Sequence, residues 1–384
     1  MHPALPPTFD APLIVPLRHR VIFTRDAFDP ANAVLRQVMG CVDGDAAPSR
    51  AIALVDSGVL GANPGMTSRL RAFFAQEGMP ALSAVEEIAG GERAKTGMAT
   101  AERVVHMVEG HGIDRQSFVI AIGGGAVLDA VGLGAAMAHR GVRLVRMPTT
   151  VLAQDDAGMA VKNGINLGRK KNFIGTFAVP HAVVCDSTFL QTTPDWSWCG
   201  GFSEAVKIAL LRDPALFDLI ERDASAIRSR SMEAALPVIE RSAELHWRHI
   251  VLGGDPFESR SARPLDFGHW LAHRLEGLTD GTLPHGQAVA VGVAVDSWYS
   301  ACAGLLPAAD ARRTHAVLRK LGLPVTHELL QDPGTLLGGL EEFREHLGGS
   351  LTVTLLRGIG DPVDVHEIDA GILGEAIRHA SAAA

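Results

Sequence analysis

Short apolar runs alternate with amphipathic stretches through the first half of the chain. Val21–Thr24, Ala51–Asp56, Ala84–Ile88, Phe118–Ile122, Val142–Met147 and His181–Asp186 read as β-strands, rich in Val, Ile and Ala and stopped by Gly, Pro or Asp. Asn63–Glu77 and Ala99–His111 place apolar residues at helical spacing, and a helix of small residues is predicted from Gly125 to about His139. Such alternation predicts a parallel sheet covered by helices. Between Thr149 and Pro180 the pattern changes: VKNGINLGRKKNFIG is polar, basic and punctuated by Gly, and predicts a hairpin or long loop crossing a cleft. Beyond Asp186 the spacing is helical, with helices predicted over Asp195–Leu211, Pro214–Arg222, Met232–Leu252, Arg263–Leu278, Gly286–Ala303 and Ala308–Leu321. The expected fold is an α/β N-terminal domain with a parallel sheet (16–188), preceded by a loose Pro-rich arm (1–15) and followed by an all-α C-terminal domain (189–384).

Composition narrows the class of function. A length of 384 residues suits two domains, and 47% apolar with 20% charged residues is ordinary for a globular protein. The net charge of −8, without a basic patch, gives no reason to expect a nucleic-acid partner. Cys41, Cys185, Cys199 and Cys302 are far apart and lack metal-ligand spacing, which predicts reduced thiols in a cytoplasmic protein. No uncharged apolar run reaches the length of a membrane span, and MHPALPPTFDAP lacks a signal-peptide core, so no membrane association is expected.

The chemistry concentrates in Asp266–Gly286, DFGHWLAHRLEGLTDGTLPHG. His269 and His273 are four apart and share one helix face, and His285 follows after a turn-like segment. Two histidines and a carboxylate hold a divalent ion while leaving a position open for substrate. The spacing alone does not choose which two. The carboxylate in view is Glu204, near the start of a predicted helix and three residues before Lys207. Glu and Lys at that spacing commonly form a surface pair, but the neighbours Ala205, Val206 and Ile208–Leu211 argue for burial. Buried, the two need partners: a metal for Glu204 and an anion for Lys207. Gly123-Gly124-Gly125 ends a strand and opens a helix, where free N–H groups can cradle a pyrophosphate. Leu128 stands where the usual dinucleotide fingerprint has its third Gly, and the competing reading is a tight turn that needs positive φ. Asp129 follows on the helix as a cofactor contact or a dipole partner. Lys162, Arg169, Lys170, Lys171 and Asn172, interleaved with Asn163 and Asn166, suit a phosphate monoester or form a solvated face.

Six blocks carry a resemblance: IGGGAVLDAVG, AHRGVRLVRMPTTVLAQDDAG, GRKKNFIGTFAVP, GFSEAVKIALL, DFGHWLAH and LPHGQAVAVG. In order and spacing they resemble the sugar phosphate cyclases, whose best-known member is 3-dehydroquinate synthase, from about Ile52 to Gly360. The chain also resembles a less-studied branch found in the bacterial ebo gene cluster. The resemblance implies that the sheet domain binds NAD and the helical domain carries a metal site. Glu204, His269 and His285 would hold zinc, cobalt or another divalent ion. Gly123, Gly124, Gly125, Asp129, Thr149 and Thr150 would line the NAD site, with Asp56, Glu92 and Lys95 at the adenosine end and Thr192 nearer the nicotinamide. Lys162, Asn172, Lys207 and His273 would hold the substrate, largely its phosphate. Arg140 would reach the phosphate site of a neighbouring subunit, implying a homodimer, and Asp156 and Lys171 would complete the cleft. The implied chemistry is redox-neutral. NAD transiently oxidises a ring hydroxyl, phosphate is eliminated, the hydride returns, the ring opens, and an intramolecular aldol closes a carbocycle.

The departures concern the substrate. Where 3-dehydroquinate synthase has an Asn and an Arg before the first metal His, this chain has Asp266 and Ala262, with Arg263 adjacent as a replacement carboxylate ligand. A carboxylate at 266 repels an acidic substrate unless it is protonated or paired. Asp there is similar to cyclases that convert sedoheptulose 7-phosphate to valiolone-type cyclitols, whereas His273 is closer to dehydroquinate synthase. In Phe343–Gly348, where a Lys is usual, the chain offers Arg344 and His346. The expectation is a lyase acting on a C7 sugar 7-phosphate, with sedoheptulose 7-phosphate ahead of 3-deoxy-arabino-heptulosonate 7-phosphate. Lys162, Lys207, His273, Asp156 and Asp266 would be its catalytic residues. The alternatives are a metal-dependent polyol dehydrogenase of the glycerol dehydrogenase type, which would give net NADH, and a non-catalytic protein on the same fold.

Overall fold

A computed structural model describes residues 11, 13–40, 50–168, 170–257, 265–346 and 351–382. Arg263 and Ala262 lie outside them. The first half contributes strands β1 (Val21–Thr24), β2 (Arg50–Asp56), β3 (Ala81–Ile88), β4 (Phe118–Gly123), β5 (Arg143–Pro148), β6 (Lys162–Leu167), β7 (Lys170–Phe177) and β8 (Ala182–Asp186). Six of them form one parallel sheet in the order β1-β8-β5-β4-β2-β3. Strands β4 and β8 are buried along their whole length, and β2 along all but its ends. That burial on both faces is why they read as continuous apolar runs rather than alternating ones. Edge strand β3, with Glu86 and Glu87, is the most exposed of the strands from β2 to β8 in this sheet. The strand order reverses between β2 and β4, so a crevice opens at their carboxyl ends, beside Asp56 and Gly123.

The basic, Gly-punctuated segment is the antiparallel hairpin β6–β7, with Lys162 opposite Phe177. Buried Arg146 on β5 anchors it by donating to the carbonyls of Ala160 (2.6 Å) and Lys162 (2.7 Å) and to Asn163 Oδ1 (2.8 Å). The predicted helix over Asn63–Glu77 is shorter, Met66–Phe74, and is entered through Gly65 at φ +84°.

The second half is built on helices Asp195–Arg212, Pro214–Arg228, Met232–Leu252, His269–Leu278, His285–Cys302, Ala308–Lys320, Pro333–His346 and Ala370–Ala382. Asp195–Arg212 and His285–Cys302 are buried over most of their length and form the centre of the largest core. One feature departs from the all-helical expectation. The apolar run VTLLRG forms β9 (Val353–Gly358), which turns back through Gly360 (φ +86°) into β10 (Asp361–Val365). Leu356 N–H donates to Ser300 Oγ at 3.2 Å, fastening this hairpin to the His285–Cys302 helix. No described helix is long and apolar enough to cross a membrane.

Candidate active site

Three helices meet closely enough to bring Glu204, His269 and His285 together, and glycines permit the approach. A Cβ on Gly286 would lie 2.1 Å from the carbonyl oxygen of Gly200. Gly268 adopts φ +78°, and a Cβ there would lie 2.7 Å from the backbone nitrogen of Val293. It therefore ends the preceding loop and starts the His269–Leu278 helix at His269, later than the predicted start at Arg263. Glu204 and Lys207 sit in the middle of the Asp195–Arg212 helix, not near its start, and both are buried.

His269 Nε2 and His285 Nε2 lie 3.4 and 3.6 Å from Glu204 Oε1, and one ligand atom from each of the three residues falls within 4.8 Å of the others. His269 Nδ1 donates to the Phe267 carbonyl at 3.2 Å, which leaves its Nε2 lone pair facing the cluster. Neither oxygen of the buried Glu204 carboxylate has a well-aligned hydrogen bond, although Lys207 Nζ is 2.5 Å from Oε2. A buried carboxylate with orphaned oxygens facing two imidazoles fits a divalent cation. Burial opposes the charge on Glu204, but Lys207 and His269 outweigh it and hold this carboxyl well below the usual range. Burial likewise opposes the charge on Lys207, and the carboxylates of Glu204, Asp156 and Asp266 overcome it and raise its pKa.

Two residues that sequence reasoning did not single out support the histidines. Buried Glu276 accepts from Lys171 Nζ at 2.8 Å and lies 3.4 Å from His285 Nδ1. It orients the His285 ring and ties β7 to the helical half. Burial lowers the His285 pKa, but Glu276 and Glu204 outweigh it and push it up to about 10. Buried Asp296 accepts from Gly268 N–H (2.9 Å) and Trp270 Nε1–H (3.0 Å), fixing the backbone on either side of His269. Burial raises its pKa to about 7 against those two hydrogen bonds. Glu276 was visible one turn after His273, whereas nothing in the local pattern marked Asp296.

His273 lies one turn from His269, its ring centroid 5.5 Å from that of His269 and 6.4 Å from that of His285. Its side chain is exposed to solvent. Partial desolvation by its neighbours, with His269, His285 and Lys171 adding to it and Glu276 opposing, lowers its pKa.

At the carboxyl edge of the sheet, none of Gly123, Gly124 and Gly125 has positive φ, so a left-handed turn does not explain the triplet. Close approach does. A Cβ on Gly123 would meet Val127 at 2.6 Å and one on Gly125 would meet Ala157 at 2.9 Å, whereas Gly124 faces Thr150 at 3.5 Å. Thr149 N–H donates to the Gly123 carbonyl, and Thr150 caps the short helix that follows it. Asp56 caps the next turn through Gly58 N–H (2.8 Å) and packs against Gly90. Lys95 bridges Asp129 (2.7 Å) and Asn172, while Glu92 accepts from Asn166 (3.2 Å). Thr192 accepts from Asn63 at 3.2 Å. Asn172 itself adopts φ +51°. Lys162 lies at the exposed start of β6.

Other expected residues lie apart from the cluster or outside the description. Arg140 lines a groove of about 770 Å³ with Arg18, Arg20, Arg115 and Arg143. It is presented there by consecutive left-handed residues His139 (φ +51°) and Arg140 (φ +62°). Arg344 pairs with Glu341 on its own helix. Arg263 and Arg169 lie outside the described residues, and the side chain of His346 is not among those described.

Comparison with known proteins gives consistent matches. Residues 85–199 match the model of the 3-dehydroquinate synthase N-terminal domain, and 201–340 that of the C-terminal domain. A 3-dehydroquinate synthase from Halorhodospira halophila is 38% identical over 71% of this chain and 76% of its own length. A 2-epi-5-epi-valiolone synthase from Streptomyces glaucescens is 32% identical over 92% of this chain and 88% of its own. Among solved structures, a 2-epi-5-epi-valiolone synthase from Streptomyces hygroscopicus, with NAD+ and Zn2+ bound, superposes with a TM-score of 0.87. It is 28% identical, and the match covers 97% of this chain and 99% of that one.

Proposed function

The chain belongs to the 3-dehydroquinate synthase family, and on that premise we propose that it is an NAD- and zinc-dependent lyase that cyclises a C7 sugar 7-phosphate. The observation that carries this reading is the shared cleft: the Glu204–His269–His285 donor set is joined through Glu276 and Lys171 to the hairpin that bears Lys162 and Asn172. In the proposal Glu204, His269 and His285 hold the metal. Bound there, a divalent ion lowers the pKa of a substrate hydroxyl and polarises a carbonyl. The Gly123–Gly125 turn, Asp129, Thr149 and Thr150 receive NAD, with Asp56, Glu92 and Lys95 at its adenosine end and Thr192 nearer the nicotinamide. Lys162, Lys171, Asn172, Lys207 and His273 hold the sugar phosphate, and Asp156 faces it across the cleft. Arg140 serves the phosphate site of a second copy in a cytoplasmic homodimer. We place the boundary between the NAD-binding and metal-binding halves near residue 188.

Among C7 substrates we favour sedoheptulose 7-phosphate, which has no carboxylate. Lys207 is the buried cation of this wall, and Glu204, Asp156 and Asp266 already act on it. A substrate carboxylate next to Asp266 would meet charge of its own sign. Incubation of the protein, NAD+ and Zn2+ with each C7 phosphate, followed by phosphate release, tests this. Release from sedoheptulose 7-phosphate supports the reading. Release from the heptulosonate alone overturns the substrate, and net NADH with a simple polyol would favour the dehydrogenase.

A further inference from the structure

The third wall of the cleft holds a histidine that the pattern of the sequence did not mark. His246, on the Met232–Leu252 helix, is 2% exposed. Its Nδ1 is 3.0 Å from the Ser242 carbonyl, one turn back, so that nitrogen carries the hydrogen and Nε2 the lone pair. Nε2 is buried and has no hydrogen-bond partner. Asp156 Oδ1 is 3.2 Å away but not aligned with it for a hydrogen bond, and the ligand atoms of His246, Asp156 and Glu204 fall within 4.8 Å of one another. A buried polar atom with no partner costs folding free energy, and such atoms are few in native proteins. Glu204 already belongs to the His269–His285 donor set, so the group's own atoms are one imidazole nitrogen and the Asp156 carboxylate, too few for a second metal ion.

We propose that His246 and Asp156 form an acceptor pair that binds a vicinal diol of the sugar phosphate, one hydroxyl on His246 Nε2 and its neighbour on Asp156 Oδ1. Two acceptors 3.2 Å apart complement two adjacent hydroxyls, each of which has one hydrogen to donate. The pair lies beside the Glu204 cluster, which places the diol against the proposed reaction centre. Ser242 fixes the tautomer that makes Nε2 an acceptor, and the helix holds the ring in place before substrate arrives. This inference rests on the cyclase reading and adds a substrate-binding residue to it.

The test uses His246→Ala, His246→Gln and His246→Asn in the full-length, metal- and NAD-loaded protein. Gln places a polar atom near the position of Nε2, whereas Asn reaches only the position of Nδ1. Loss of one buried hydrogen bond to substrate predicts a fall of about ten- to a hundredfold in kcat/KM for His246→Ala. His246→Gln should recover most of it and His246→Asn little, with thermal stability and NAD affinity near wild type in all three. A purely structural role at Ser242 predicts the reverse, with Asn restoring activity and Gln not, and that result overturns the proposal. So does an active wild type with an equally active His246→Ala. A wild type that releases phosphate from neither C7 substrate overturns the cyclase reading and this inference with it.

Discussion

Replacing Arg146 with Met should loosen the hairpin that carries the phosphate-binding residues. The guanidinium is fully buried, with close hydrogen bonds to the Ala160 and Lys162 carbonyls and Asn163 Oδ1 and a longer one (3.4 Å) to the Gly158 carbonyl. Met fills similar space but strands three acceptors, one buried and two part-buried, each costing about 1–3 kcal/mol where water cannot reach it. Removing a buried cation returns part of that, because burial disfavours the charged guanidinium and already lowers its pKa. Taking the low end for all three leaves a net cost of about 3 kcal/mol, or roughly a hundredfold in the opening equilibrium of the segment. Hydrogen exchange should therefore quicken by about two orders of magnitude at amides between Val161 and Ile165, more than at β2 or β4. Phosphate release should weaken in parallel, since Lys162 stands on the loosened strand. Unchanged exchange in that segment, with an unchanged denaturation midpoint, would refute the idea that Arg146 builds this wall.

Three other substitutions probe the second half. Glu276→Gln removes the carboxylate that lies against both His285 Nδ1 and Lys171, and should weaken Zn2+ affinity about 10–100-fold in a chelator competition assay. Asp296 is held neutral in the folded chain up to about pH 7 but ionises near 3.8 when unfolded, so the native state binds the extra proton between those values. Stability of the metal-free protein should then fall as pH rises through that window, by at most about 4 kcal/mol, and Asp296→Asn should flatten this slope in denaturant titrations. Asp266→Asn removes the charge proposed to exclude a carboxylate. It should raise kcat/KM for the heptulosonate relative to sedoheptulose 7-phosphate by about tenfold or more.

The sheet was legible because its strands are buried on both faces and so read as uninterrupted apolar runs, as in β4 and β8. Met232–Leu252 was legible because a single apolar stripe marks an amphipathic helix. Less visible were elements whose signal is tertiary. Strands β9 and β10 lie in the helical half, and the former is fastened to the His285–Cys302 helix through Ser300. The late start of the His269 helix depends on Gly268 packing against Gly292 and Val293, a contact between residues distant in sequence. The histidine cluster could be suspected from the spacing of His269, His273 and His285, since a helix turns local spacing into a shared face. His246 and Asp296 could not: His246 faces the site from a helix that carries no other residue of the cluster, and Asp296 lies eleven residues beyond His285 on the same helix, with no local pattern to mark it. In the Gly123–Gly125 triplet the competing reading of a turn with positive φ does not hold: Gly123 and Gly125 pack closely against Val127 and Ala157, contacts that local sequence does not reveal.

A redox-neutral cyclisation in this cleft is read by following phosphate and the absorbance of NADH together, with sedoheptulose 7-phosphate, catalytic NAD+ and Zn2+. Many equivalents of phosphate should be released per bound NAD, with no net NADH. Accumulation of NADH in step with substrate consumption, or no phosphate release from either C7 sugar phosphate, would contradict it.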